Sequence, residues 1–267
     1  MTRVYAVKKI KKRRSRFGPQ QNGHEKELLC HRIASGHRNV LTLHHVIDSG
    51  DVLYLVLDYL PEGDLQTSLT EHGSMYRSHP QHIKRIFLQI LDAVQHCHDK
   101  RVYHRDLKPE NVLLKDFGAT AVLADFGLSS RKASSVDFEI GSDYYMSPEC
   151  YGELHCSKPY ASVPNDVWSL GVMLFYMVIG SPPWTAARTG CKSFLSFLCD
   201  PDFFLRRYPV SAEMNRMLMH VFAIDPTRRM SIDQLRGYVQ GISLFTVTES
   251  QVRRLRTVMA RPPRATV

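Results

Sequence analysis

Asp106, Lys108 and Asn111 stand close together in the stretch Tyr103-His104-Arg105-Asp106-Leu107-Lys108-Pro109-Glu110-Asn111. A carboxylate can accept the proton of an attacking hydroxyl, an ammonium can sit beside a phosphoryl group in transfer, and an amide oxygen can hold a metal ion. A polar turn between a helix and a strand would not need that order of groups. Two Asp-Phe-Gly triplets follow, Asp116-Phe117-Gly118 and Asp125-Phe126-Gly127, each offering a further carboxylate. The histidine clusters read differently. His96-Cys97-His98 falls on a helix with Cys97 inward, and His44-His45 falls on a strand, where neighbouring side chains point apart. Both are expected to be structural.

The elements that must position these groups change character along the chain. Residues 4–10 are rich in β-branched types and predict a short strand, and a polar helix begins near Asn22 and carries Glu25 and Glu27. Residues 40–46 and 53–57 predict strands separated by the turn composition Asp48-Ser49-Gly50-Asp51. After Pro61-Glu62-Gly63-Asp64 helices take over. Ile83, Ile86, Phe87, Ile90, Leu91, Val94 and Cys97 form one apolar helical face, with Pro80 suited to its first turn. Further helices are expected near 165–180, 190–199, 211–223 and 231–240. The expected domains are a small β-rich lobe over 1–60, a large helical lobe over 61–240, and an arginine-containing tail over 241–267. The lobe junction is a natural ligand cleft.

Composition narrows the function classes. The 267 residues are 43% hydrophobic and 23% charged, an ordinary globular balance. The formal charge of +9 is concentrated at the ends, for residues 1–16 hold eight Lys/Arg and residues 252–267 hold five Arg. That leaves 22 basic against 26 acidic residues for 17–251, a body of −4. A nucleic-acid binder should be basic where it folds, so nucleic acid is not an expected partner. The basic run 8–16 is expected to be a solvated loop. Six cysteines show no C-x-x-C spacing, which predicts reduced thiols. The longest apolar stretch, 167–179, is shorter than a membrane span and predicts a buried helix. The expectation is a soluble monomer, cytoplasmic or nuclear, with no membrane partner.

The octet from His104 to Asn111 resembles the catalytic loop of the eukaryotic protein kinases. The resemblance implies an α+β, two-lobed protein kinase-like fold, with Asp106, Lys108 and Asn111 as catalytic residues and ATP and Mg²⁺ as cofactors. It also implies a metal-binding aspartate on a strand-flanked turn downstream. Asp125, 19 residues after Asp106 and preceded by Val122-Leu123-Ala124, fits that place beside Asn111, whereas Asp116, only 10 after, fits a hairpin turn. Ala6-Val7-Lys8 is similar to the strand whose lysine holds the α- and β-phosphates. Its helical partner is read as Glu27, with Glu25 the rival. Leu57-Asp58-Tyr59-Leu60 resembles the hinge, with Leu57 behind the adenine, backbone groups of Asp58 and Leu60 at its edge, and Ala6 and Leu113 around the ring. Asp64 is assigned to the same nucleotide-binding group. Asp64 and Glu110 also stand where some relatives hold basic substrate residues, which implies arginine upstream of the acceptor.

Gly141 to Glu149 resembles the end of an activation segment, Glu149 is expected to pair with Arg229, and Asp166 resembles the aspartate that braces the catalytic loop. Lys108 and Ser142 are what serine/threonine kinases show. Arg105, next to Asp106, suggests control by a phosphate, with Ser134 and Ser135 in the right stretch. The segments 37–44, 59–65 and 146–150 are similar to a fungal group that includes the meiosis-restraining kinase of fission yeast. The implied function is transfer of the ATP γ-phosphoryl group to protein Ser/Thr hydroxyls. The alternative is a catalytically weak pseudokinase that binds proteins. One departure stands out. Only seven residues precede Lys8, so the first two strands and the G-x-G-x-x-G loop of the family are not in this sequence, and the chain is expected to be a fragment.

Overall fold

A computed structural model describes residues 3–12, 23–153, 159–248 and 250–251. The expected loop over the basic run beyond Lys12, and the expected tail beyond Gln251, lie outside the described residues.

β1 (Tyr5–Lys11), β2 (Leu43–Ser49) and β3 (Val52–Asp58) form an antiparallel sheet in the order β1-β3-β2, flanked by α1 (Gly23–Ala34). β3 is central, and its alternate residues Leu53, Leu55 and Leu57 turn inward, as period-two burial demands. β2 starts later than the apolar run suggests. Val40 leaves the sheet to make a parallel bridge with Leu123, and the Leu41 N–H donates to the Leu123 carbonyl at 2.8 Å.

The helices follow as α2 (Leu65–Ser78), α3 (Pro80–Asp99), α4 (Ser162–Ile179), α5 (Lys192–Cys199), α6 (Phe203–Arg207), α7 (Ala212–Val221) and α8 (Ile232–Gly241). Between α3 and α4 lie two hairpin-like pairs, β4 (Val112–Lys115) with β5 (Thr120–Leu123) and β6 (Ser134–Ser135) with β7 (Tyr160–Ala161). α3 buries the face foreseen from its periodicity. α2 was not visible to that method, because its phase breaks at the non-helical His72. Its start is marked by Asp64, whose carboxylate accepts the Thr67 N–H at 2.8 Å and caps the helix.

α4 is long and apolar enough to cross a membrane, yet most of its surface is covered by the other helices. A methyl group on Gly171 would come within 2.1 Å of Val221 Cγ1, so this glycine lets α7 approach α4 at backbone distance. Trp168, Trp184, Phe194, Phe197, Phe204 and Phe222 close the space around it with tilted, edge-on and stacked ring contacts. A second, smaller apolar cluster lies under the three-stranded sheet. It takes Leu41, Leu53, Leu55 and Leu57 from the first part of the chain and Val122 and Ala124 from the end of β5.

The first Asp-Phe-Gly triplet is the turn between β4 and β5, as its spacing foretold. Asp116 and Phe117 both have φ of 59°, and Gly118 has 71°. The Glu62 carboxylate holds this turn by accepting the Phe117 and Gly118 N–H groups at 2.9 and 2.7 Å. Phe117 is fully exposed, so it takes a left-handed backbone with no packing in return. Phe117→Gly is expected to raise stability by about 0.5–1 kcal/mol in urea denaturation, since the released strain exceeds the added entropy of the unfolded chain.

Candidate active site

β1 presents Lys8 opposite Leu55, and its ammonium reaches two carboxylates at once. Lys8 Nζ lies 2.6 Å from Glu27 Oε1 on α1 and 2.7 Å from Asp125 Oδ1 after β5. Burial alone would lower the Lys8 pKa, but Asp125 and Glu27 outweigh it and hold the pKa above the ordinary value. Burial would raise Asp125, and Lys8 reverses that and keeps its carboxyl below the usual range. Glu27 is the glutamate that meets Lys8; Glu25, the rival, is exposed on the same helix.

Asp125 sits at φ 56°, a strained conformation for a non-glycine residue, and the Gly127 N–H donates to its Oδ1 at 3.2 Å. Between them Phe126 is fully buried, stacked at 4.8 Å on His31 of α1 and tilted at 5.3 Å against His104. His31 is tied in turn to the Leu41 carbonyl at 2.8 Å. One aromatic side chain thus couples α1 to the loop that carries Asp106.

That loop is braced from below. Asp166, fully buried in α4, accepts the backbone N–H groups of His104 at 3.0 Å and Arg105 at 2.8 Å, and contacts His98 Nε2 at 2.8 Å. Burial would raise its pKa, yet His98 and the backbone donors lower it, so the carboxylate is kept charged without exposure to water. His98 is therefore a structural partner. Arg105 is held at φ 68° by these bonds.

Above the brace the reactive groups converge. Lys108 Nζ is 3.0 Å from Asp106 Oδ2 and donates to Ser142 Oγ at 2.8 Å, while the Ser142 hydroxyl donates to Asp106 Oδ1 at 2.9 Å. The Asn111 side-chain nitrogen donates to the Asp106 backbone carbonyl at 2.8 Å, and the Asn111 backbone carbonyl accepts the Ala124 N–H at 2.8 Å. With its nitrogen so fixed, the side-chain oxygen of Asn111 is the atom left for a cation. Asn111 and Asp125 offer hard oxygen donors but not a complete cage, and no cluster of three or more His, Cys, Asp and Glu exists among the described residues. An incomplete oxygen set suits Mg²⁺, which keeps waters and takes further ligands from phosphate oxygens.

The expected nucleotide-binding residues fall partly together. Ala6, Leu60 and Leu113 pack on the small cluster that contains Leu57, and Ala6 pairs with Leu57 across the sheet. The Asp58 N–H donates to the Thr42 carbonyl at 3.3 Å and its carboxylate holds His44 at 2.7 Å, so any pairing by Asp58 falls to its carbonyl. Asp64 is the N-cap of α2. Its carboxylate is engaged with the Thr67 N–H and hydroxyl, the latter at 3.1 Å, because an uncapped first turn would leave backbone donors without partners. Glu110 is exposed.

Two side chains of the site were not assigned from sequence. Ser142 was noted only as a mark of acceptor type, and nothing in its spacing gives its bridge between Lys108 and Asp106. Asp137, which meets Arg105, carries no motif at all.

Residues 1–238 match the family described as "Protein kinase domain". The chain is 36% identical over 240 residues to the "Negative regulator of sexual conjugation and meiosis" of Schizosaccharomyces pombe, covering 83% of this chain and 51% of that protein. It is 34% identical over 236 residues to the "Serine/threonine-protein kinase VHS1" of Saccharomyces cerevisiae, covering 84% and 50%. A third relative, the "Serine/threonine-protein kinase ksp1" of Schizosaccharomyces pombe, is 32% identical over 254 residues, covering 93% and 52%. The chain spans about half the length of these relatives.

Proposed function

The chain belongs to the protein kinase domain family, and on that premise we propose that it transfers the γ-phosphoryl group of ATP to Ser or Thr hydroxyls of proteins. The observation that carries this reading is the joint placement of Lys8 between Glu27 and Asp125 with Asp106, Lys108 and Asn111 on one braced loop. Lys8, oriented by Glu27, anchors the α- and β-phosphates. Asp106 orients the acceptor hydroxyl and takes its proton. Lys108 places positive charge beside the group in transfer, and Ser142 keeps Lys108 and Asp106 in register. Mg²⁺, which Asn111 and Asp125 would hold, offsets charge on the phosphate oxygens when bound. Catalysis by this chain is then positioning and electrostatics. The apolar cluster around Ala6, Leu57, Leu60 and Leu113 supports adenine binding. Glu110, exposed beside the loop, supports a preference for basic residues upstream of the acceptor, whereas Asp64 contributes less because it caps α2.

The test is transfer of labelled phosphate from ATP to Ser/Thr and Tyr peptide pools, comparing the chain with Lys8→Met. Transfer to Ser/Thr peptides alone, with the ATP KM raised about tenfold or more by the substitution, is the expected result. Equal turnover by Lys8→Met would overturn the assignment of Lys8.

A further inference from the structure

Arg105 precedes Asp106 and is almost wholly buried. Its Nη1 lies 3.3 Å from Asp137 Oδ2 and its Nη2 donates to the Tyr160 hydroxyl at 3.1 Å, while its buried Nε has no acceptor. The Tyr160 hydroxyl donates to the Asp137 carbonyl at 3.0 Å, and the Asp137 N–H donates to Ser135 Oγ at 3.1 Å. The β6–β7 pairing sets Ser135 opposite Tyr160, so these contacts close into one ring of bonds around the guanidinium. Burial would raise the Asp137 pKa, but the Ser135 hydroxyl and Arg105 lower it, and Lys26 of α1 adds to the pull. Asp137 is thus where the catalytic loop, the segment after Asp125 and α1 meet electrostatically.

The sequence pointed to a phosphate at this place, on Ser134 or Ser135. The structure gives Arg105 a different anion. Ser135 is buried, with its hydroxyl bonded at Asp137, and Ser134 stands opposite Ala161. We propose that Asp137 is a positioning residue for the reaction: its carboxylate neutralises Arg105 and fixes segment 134–141 and Asp106 without any phosphate. This rests on the phosphotransfer reading above. A phosphate would bring more charge and more acceptors. A carboxylate brings enough to pair one guanidinium, and it is always present.

The experiment compares the chain with Asp137→Asn, Asp137→Glu, Ser134→Ala, Arg105→Ala and the Arg105→Ala/Asp137→Ala pair. Each is tested before and after phosphatase treatment, by steady-state phosphotransfer and by amide exchange of segment 134–141. Asp137→Asn is expected to lower kcat by about tenfold with little change in ATP KM, and Asp137→Glu to restore most of it. The paired variant should be no worse than Arg105→Ala alone, because the two side chains act through one contact. Phosphatase treatment and Ser134→Ala should change nothing. Exchange protection of 134–141 should fall in Asp137→Asn while that of α3 and α4 persists, which separates a local effect from unfolding.

Full turnover and full protection in Asp137→Asn, or loss of activity in the untreated chain on phosphatase treatment, would overturn the proposal. If the unsubstituted chain transfers no phosphate, the phosphotransfer reading fails and the exchange comparison alone judges the Asp137 contact.

Discussion

Asp106→Asn lowers kcat by about three orders of magnitude, on the expectation that proton acceptance and hydroxyl alignment are lost together. Both oxygens of Asp106 are committed to the reacting side of the loop, Oδ1 to the Ser142 hydroxyl and Oδ2 to Lys108. An amide keeps the shape but cannot take a proton, and its NH₂ group would face either the Lys108 ammonium or the Ser142 hydroxyl. The ATP KM should move by less than about threefold, because Lys8, Glu27 and Asp125 are untouched and uniform binding survives. Asp116→Asn is the matched control. It changes an aspartate carboxyl in the first Asp-Phe-Gly triplet, the turn between β4 and β5, and should leave turnover as it was. Labelled-phosphate transfer under saturating ATP distinguishes the two, and equal effects would mean that Asp106 has no special part in the transfer.

The largest stability effect is expected at Glu149 and Arg229. Arg229 Nη1 and Nη2 meet Glu149 Oε1 and Oε2 at 2.5 and 3.0 Å, and both side chains are almost completely shielded from water. The guanidinium also donates to the carbonyls of Pro164 and Ala223 and lies 4.9 Å from the Trp168 ring centre. Glu149→Ala leaves a cation in the core with its countercharge gone, at a cost of about 3–5 kcal/mol. Replacing the pair together, as Glu149→Leu with Arg229→Met, should cost less than Glu149→Ala alone, because desolvation of both ions is avoided. Urea denaturation midpoints of the single and paired variants check this. A double variant as damaged as the single one would mean that the pair contributes shape and not charge.

How far the sequence reached is best seen residue by residue. The His104 to Asn111 octet was legible because its function compresses several groups into one loop, so spacing alone carries the signal. Lys8 and Glu27 were legible only through the resemblance, since no local rule links a strand to a helix 19 residues on. The long helix α3 announced itself by period, whereas α2 hid behind its kink at His72. The departure of Val40 from β2 depends on Leu123, a residue far away in the chain, and no window on the sequence could show it. Asp64 shows a different gap: the resemblance gave it to the ligand and did not show that its immediate neighbours also use it as the cap of α2. Arg105 stood out by its place beside Asp106, but nothing in the sequence shows that Asp137 lies 3.3 Å from it. Asp137 is an unremarked acid until β6 and β7 pair and bring Tyr160 and the guanidinium to it.

The aromatic packing around α4 has a practical consequence for anyone following this protein by light. The chain has two tryptophans, and Trp168 and Trp184 both lie in the helical core with ring centres 5.4 Å apart. Neither belongs to the small cluster beneath the three-stranded sheet. Intrinsic emission therefore reports the helical core and is nearly blind to that sheet. Melting of the sheet or arrival of a nucleotide would pass almost unseen in tryptophan emission. Loss of the cation beside Trp168 would be seen at once. A tryptophan introduced at Tyr54 of β3 would give the other half of the molecule its own signal.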